Sequence, residues 1–353
     1  MTSPAARNAL STRALNRAVL ARQSLLERSA GDIPGLLQRM AFLQAQYVPS
    51  MYIGIWSRIA GFERVELTRA LAERRVVQGT LLRSTIHLVA ADDYWPVALA
   101  IRDARRTWYE RATKGDPNPA ALQAAAERLR AALVTRGTLT QRELDEVVGR
   151  DLRGGVGLWL DLVRVPPTGT WERRRANLYA AAEDWLGPPP AELVADPQGC
   201  LDLLVRRYLS GFGPAAPTSI ADWAGLPVAT VRTALEGVRL RRFHRADGAE
   251  LIDQPDLPLP DPDIPAPVRY LPTWDATLLV HCRHSGVLPE KYRPVIFTSK
   301  APHSYGTFLV DGSVAGTWRY DAGRVVRQQF HPLATRVREE LDAEGERLAE
   351  LHR

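Results

Sequence analysis

One pattern constrains this chain more than any other: three times, a set of short amphipathic helices gives way to two short alternating strands around a turn. The first instance spans about residues 9 to 91. Leu10, Leu15, Val19, Leu20 and Leu26 recur at helical spacing, and further helices are expected at 33–42, 51–59 and 65–74. Residues 76–82 and 84–89 then alternate as a hairpin does. The second instance begins at Gly137, where Thr140 and Glu143 have capping-box spacing. It ends in strands at 162–165 and 170–173 flanking Pro166-Pro-Thr-Gly169. In the third, helices open near Thr218 and Pro227, and strands at 240–246 and 250–253 surround the turn signal Asp247-Gly248.

Helices followed by a two-stranded wing are the winged variant of the helix-turn-helix. The expected fold is therefore mainly α with small β hairpins and a β module: three tandem winged-helix units and a C-terminal barrel-like domain. The boundaries read as 1–115, 116–198 and 199–253 for the three units, with a proline-rich connector at 254–267. Residues 268–332 form the β module, with strands expected at 277–280, 294–298, 307–311, 316–320 and 324–328. A charged helix occupies 333–353.

Charge and composition narrow the function. The net charge of +6 and a pI near 9.5 point to an anionic partner. Only Lys114, Lys291 and Lys300 are lysines among 46 basic residues, a bias to which high-GC coding contributes. All three lie in polar, turn-like sequence, which argues against Schiff-base chemistry at a desolvated amine. The two cysteines, Cys200 and Cys282, are too few for a disulfide framework or a four-thiolate zinc site. No apolar run approaches the roughly 20 residues that span a bilayer, and the first residues have no secretory core. A soluble, cytoplasmic protein is expected.

Gln44-Ala45-Gln46 is the first candidate site. Extended, it puts Gln44 and Gln46 on one face above Leu43, Ala45 and Tyr47, and Pro49 discourages helix beyond it. Two carboxamides so placed would hold one water in a fixed orientation, although two solvated amides in a loop have the same spacing. Arg83, Thr85 and His87 alternate on the first wing, as a phosphate- or sugar-contacting set or as a plain sheet edge. The basic stretches 102–111, 173–175 and 239–245, which include Arg173, Arg174, Arg241 and Arg242, interleave with Trp108, Tyr109, Trp171 and Phe243. That mixture suits phosphate contact with base stacking, and equally a solvated helix face. His281-Cys-Arg-His284 resembles a metal site but has no second cluster. It reads instead as a strand or wing with exposed imidazoles, His281 and Arg283 facing DNA. No metal and no cofactor is implied, and no P-loop, dinucleotide fingerprint or nucleophile elbow is present.

Taken together, these motifs resemble the AlkZ-like family of winged-helix DNA glycosylases, which has a YcaQ-like branch. The likeness rests on Gln44-Ala45-Gln46, on Gly79-Thr-Leu-Leu-Arg-Ser-Thr-Ile-His-Leu88 as an Arg-x-Thr-x-His wing, and on Leu271-Pro-Thr-Trp-Asp275 followed by Val310-Asp-Gly-Ser-Val-Ala-Gly-Thr-Trp318. It covers about residues 9 to 330. The resemblance implies a C-shaped body with a DNA channel, and catalysis by Gln44 and Gln46. It implies hydrolysis of the N-glycosidic bond of bulky N7-alkylpurine or cross-linked nucleotides, by a monomer acting on double-stranded DNA that contains alkylated purines. Gln46, where the other branch has Asp, places the chain beside enzymes of self-resistance to DNA-alkylating natural products. The alternative is a non-catalytic winged-helix regulator, disfavoured by the lack of a heptad run or second symmetric module.

Overall fold

A computed structural model describes residues 9–297 and 304–353. Lys300 and the end of the strand expected at 294–298 lie outside the described residues. A short strand β1 (Ala9–Leu10) leads into α1 (Thr12–Arg22), capped by the Ser11 hydroxyl accepting from Ala14 N at 3.1 Å. Helix α2 (Ile33–Met40), strand β2 (Leu43–Gln44), α3 (Val48–Trp56) and α4 (Arg64–Ala72) follow. Pro49 does not prolong the extended segment. It occupies the first turn of α3, where its missing N–H has no partner to lose.

Strands β3 (Val76–Thr80) and β4 (Ile86–Ala90) pair antiparallel, joined by a 3-10 turn at Leu82–Ser84. Two long helices come next, α5 (Ala91–Ala112) and α6 (Pro119–Arg136). The expected capping box then forms: between β5 (Leu139–Thr140) and α7 (Gln141–Val148), Thr140 N donates to Glu143 Oε2 at 2.7 Å and Glu143 N donates back at 3.4 Å. After α8 (Arg153–Val156), strand β6 (Leu162–Arg164) pairs with β7 (Leu178–Ala181), not with residues 170–173 as the alternation suggested. The Thr170 hydroxyl accepts from Arg173 N at 3.3 Å and Gly169 N donates to Arg173 O at 2.8 Å, so that segment closes on itself as a turn.

The first two sets of strands are not separate hairpins. Gln78 and Gly79 of β3 register with Arg164 and Val163 of β6, giving one six-stranded sheet in the order β2-β4-β3-β6-β7-β5. Helices α9 (Ala182–Leu186) and α10 (Ala191–Ala195) lead to α11 (Pro197–Phe212), which packs between α5 and α2 and carries much of the largest apolar core. Then come α12 (Pro217–Ala224), α13 (Val228–Glu236) and the hairpin β8 (Arg241–Arg245) and β9 (Glu250–Asp253), to which β1 adds in parallel.

Residues 254–268 are irregular, as the prolines dictate, yet they are tied down. Arg17 donates to Ile264 O at 2.7 Å, and Arg22 donates to Pro258 O at 3.2 Å while forming a two-pronged pair with Asp253 at 2.9 and 2.8 Å. Arg17, Arg22, Arg58 and Asp253 are all buried. Arg58, just beyond the end of α3, pairs with Asp275 at 2.9 Å and ties that segment to the last third of the chain.

The C-terminal module departs from expectation. Strands β10 (Arg269–Leu271), β11 (Gly306–Val310), β12 (Ser313–Asp321) and β13 (Arg324–Gln329) form an open antiparallel meander with β10 and β13 at its edges, so the barrel is not closed. Over the described residues of two expected strands, 277–280 and 294–297, the chain turns instead. Asp275 Oδ1 accepts from Thr277 N and Thr277 Oγ1, starting 3-10 turns at Ala276–Leu278 and Val280–Ser285, and Pro294 sits in the first turn of α14 (Arg293–Ile296). The last helix, α15 (Thr335–His352), packs on this sheet and on β10, where Tyr270 donates to Leu341 O at 3.0 Å. Among the described residues, no helix is long and apolar enough to cross a membrane.

Candidate active site and nucleic-acid interface

Gln44 is 8% exposed, and Gln46 is exposed. Both are held on the edge of the six-stranded sheet: Gln44 registers with His87 of β4, Ala45 N donates to Ile86 O at 2.7 Å, and Gln46 Oε1 accepts from Ile86 N at 3.0 Å. The side-chain oxygen of Gln46 thus prolongs the ladder by one bond. Leu43 and Ala45 are buried, as the alternation predicts.

The two amides open onto different hollows. Gln44 lines a recess of about 410 Å3 together with Arg83, Thr85, Asp222, Trp274 and His281, and Arg283, Arg293 and Phe297 also contribute to its wall. Trp274 and Phe297 pack with ring centroids 5.9 Å apart, and the Arg293 guanidinium lies 5.7 Å from the Phe297 ring. Gln46 lines a more open groove that it shares with Arg142, Arg174, Arg175 and Asn177. Arg174 lies over Trp171 at 5.0 Å and donates to its carbonyl at 3.2 Å. Arg173, Arg174 and Arg175 are all exposed.

The 3-10 turn between β3 and β4 explains the placement of Arg83. Arg83 and Ser84 both have positive φ, 51° and 58°, a costly pair for residues with side chains. The turn is held by Thr85 Oγ1 donating to Leu82 O at 3.0 Å and by Arg83 donating to Trp223 O. Trp223 lies in the last turn of α12, so a cation sits where the helix dipole favours one. Gly225 ends that helix at φ +73°, and a Cβ there would lie 3.2 Å from Arg83 Cγ. Burial lowers the Arg83 pKa.

Arg83 and Thr85 therefore reach the recess through a turn, and His87 does not join them at its wall. His87 is buried, and its Nδ1 bonds Thr85 O at 3.0 Å. A carbonyl only accepts, so Nδ1 carries the proton. Burial, with Arg83 adding repulsion, pushes the His87 pKa down to about 3.

The exposed imidazoles expected at 281–284 are a second correction. Helical turns direct His281 and His284 inward: His284 Nε2 donates to Phe212 O at 3.1 Å, and the His281 ring stands edge-on to Phe212 at 4.7 Å. Burial first, then the nearby Arg83, holds His281 well below the usual imidazole range. Arg283 remains exposed and pairs with Glu290 at 3.2 Å. Arg241, expected on DNA, is instead tied to buried Asp253 at 2.9 Å and to Leu257 O. Arg242 pairs with Glu250 on the exposed face of the third hairpin. Among the described residues no three His, Cys, Asp or Glu side chains gather where a metal would bind.

Asp222, Arg293 and Phe297 escaped the sequence reading because each reaches the recess from a different turn or helix, with no local motif. Trp274 stood inside the Leu271–Asp275 motif without a role.

Comparison with known proteins agrees with this architecture. The family model "DNA glycosylase AlkZ-like" matches residues 37–351. The solved structure of Streptomyces sahachiroi DNA glycosylase AlkZ superposes with a TM-score of 0.79 at 19% identity, covering 97% of each chain. No curated protein sequence matches. A single family model that runs from residue 37 to residue 351, through the six-stranded sheet and the terminal meander, identifies the chain as a member of the AlkZ-like family of DNA glycosylases.

Proposed function

We propose that this glycosylase hydrolyses the N-glycosidic bond of bulky N7-alkylpurine nucleotides, cross-linked ones included, in double-stranded DNA, leaving an abasic site. The carrying observation is that Gln44 and Gln46, two residues apart on one sheet edge, join an aromatic recess to an open groove bearing Arg142, Arg174 and Arg175. The helices of residues 9–253, with the two wings that share the six-stranded sheet and the separate third hairpin, act as winged helices of a C-shaped monomer, with the damaged nucleotide lying across the Gln44–Gln46 edge. Arg173, Arg174 and Arg175 hold the backbone on one side; Arg83 and Arg283, with Thr85, hold it on the other.

Alkylation at N7 leaves the purine cationic, so the base departs neutral and needs little help from an acid. What remains is to stabilise an oxocarbenium-like sugar and to aim water at it. Carboxamides suit this because they orient water without changing protonation state. They are too weak as bases to deprotonate water first, so bond breaking leads. The exposed Asp222 carboxylate in the same recess favours the developing positive charge. With such adducts as substrates, the protein fits self-resistance to a DNA-alkylating natural product.

The test is a duplex carrying one N7-alkylguanine, incubated in EDTA and analysed with and without later alkali. Free modified base, with strand scission only after alkali, is expected. Gln44→Ala combined with Gln46→Ala is expected to abolish release while retaining duplex binding. Wild-type release by that double variant would remove the amides from the mechanism, and sequence-specific binding to undamaged DNA without release would favour a regulator.

A further inference from the structure

A second recess, of about 490 Å3, opens on the other side of the β3–β4 turn, between that turn and the α7–α8 region. Its size lies within the roughly 300–1,000 Å3 of small-ligand sites. Three arginines line it, Arg105, Arg153 and Arg164, and no carboxylate does among its described lining residues. Arg153 is occupied by Asp145 at 3.0 Å. Arg105 is not: it is 7% exposed, its Nε has no partner, and among the described residues no carboxylate pairs with it. The nearby Asp161 is taken by Arg102 at 2.8 Å. Arg164 also has a buried Nε without a hydrogen-bond partner; its guanidinium donates to the Thr80 hydroxyl at 3.0 Å and lies 5.3 Å over the Tyr179 ring, and no carboxylate pairs with it among the described residues.

Two desolvated guanidiniums without an anion are a costly arrangement, and burial lowers the pKa of both. Both bear electrostatically on the buried Tyr94 hydroxyl, which places them in one neighbourhood. At the mouth stands Trp108, 58% exposed, with Tyr109 and Tyr179 also lining the recess. Guanidiniums bind phosphate through paired donors, and an exposed indole offers a face to a base.

We infer that this recess binds a 5′-nucleotide, with its phosphate on Arg105 and Arg164 and its base against Trp108. The nucleotide is either one unit of a DNA strand or a free mononucleotide. The inference does not rest on the roles of Gln44 and Gln46, which lie outside the recess.

The test is calorimetric titration of the full chain with 5′-dAMP, inorganic phosphate and deoxyadenosine. One dAMP site is expected, with phosphate competing and deoxyadenosine binding more weakly. Arg105→Gln with Arg164→Gln should weaken dAMP by at least about tenfold. Trp108→Ala, at an exposed position, should weaken dAMP while leaving phosphate unchanged. If the double variant does not fold, Trp108→Ala decides alone. Undamaged duplex that displaces dAMP identifies the strand as the source, and a ternary complex identifies the free nucleotide. Absence of dAMP and phosphate binding to the wild type at about 10 mM would overturn the inference, as would undiminished dAMP binding by the folded double variant or by Trp108→Ala. Base release, assayed in parallel, tests the glycosylase mechanism separately.

Discussion

Gln44 stands directly opposite His87 across the antiparallel pair of β2 and β4, so a candidate catalytic amide has a buried imidazole as its cross-strand partner. With its pKa near 3, His87 stays neutral at every pH at which the enzyme would work. The rate of base release should therefore show no inflection from His87 between pH 5.5 and 8.5. A bell-shaped profile in single-turnover excision would contradict this.

The same burial affects stability. His87 and His284 titrate near 3 and near 4 when folded, against an ordinary value of 6.5. Above 6.5 neither state takes up the proton and their contribution is fully present. As pH falls from 6.5 the unfolded chain gains protons that the folded chain refuses, so stability drops by about 1.4 kcal/mol per pH unit for each histidine. The loss continues until pH reaches the folded values. Urea midpoints at pH 7.0, 5.5 and 4.5 should decline in that order.

Asp253 accepts from both Arg22 and Arg241, and it is fully buried. Arg22→Met should cost about 3–5 kcal/mol of stability, since it leaves a buried carboxylate with a weakened partner set. Asp253→Asn should cost at least as much because it strands two cations. Arg22→Met with Asp253→Leu should recover much of the loss. Denaturant unfolding of the four proteins gives the coupling directly.

Arginines that look alike in sequence should separate by salt dependence. Arg174 and Arg175 are exposed beside Gln46, whereas Arg241 is committed to Asp253. Replacing Arg174 and Arg175 by Ala should lower the slope of log K against log salt by about 0.9 for each phosphate that is no longer neutralised. Arg241→Ala should lower stability and leave that slope unchanged. Duplex titrations between 50 and 200 mM salt, roughly the range over which phosphate neutralisation is felt, read both.

Gly225 closes α12 at positive φ with Arg83 against it. Gly225→Ala should destabilise by about 1 kcal/mol or more from backbone strain alone. It should also displace the Arg83 turn, so base release should fall more than duplex binding does.

How much of this was legible from sequence varied with how local the determining force is. The Thr140–Glu143 cap and the Asp247-Gly248 hairpin formed as read, because their geometry is decided within a few residues. Alternation failed at 277–280 and 294–297, where Asp275 and Pro294 began turns instead. It failed again at 170–173, where a threonine hydroxyl outcompeted the ladder. The Gln44–Gln46 edge was readable as an extended segment, but its division between two hollows was not. Arg174 comes to Gln46, and Trp274 to Gln44, from far along the chain. The burial of His281 and His284 likewise depended on α11, a partner that the four-residue motif could not announce.

The arginines of α1 bear on how the protein is made. Arg22 and Arg17 find Asp253 and Asp311 231 and 294 residues later in the chain. At roughly 5–20 residues per second, translation leaves the first helix waiting about 15 to 60 s for its last partner. Throughout that interval its inward face, which carries two positive charges, is open to solvent and to any nucleic acid nearby. A nascent chain of this protein is thus expected to bind chaperones, or RNA, until its final third emerges.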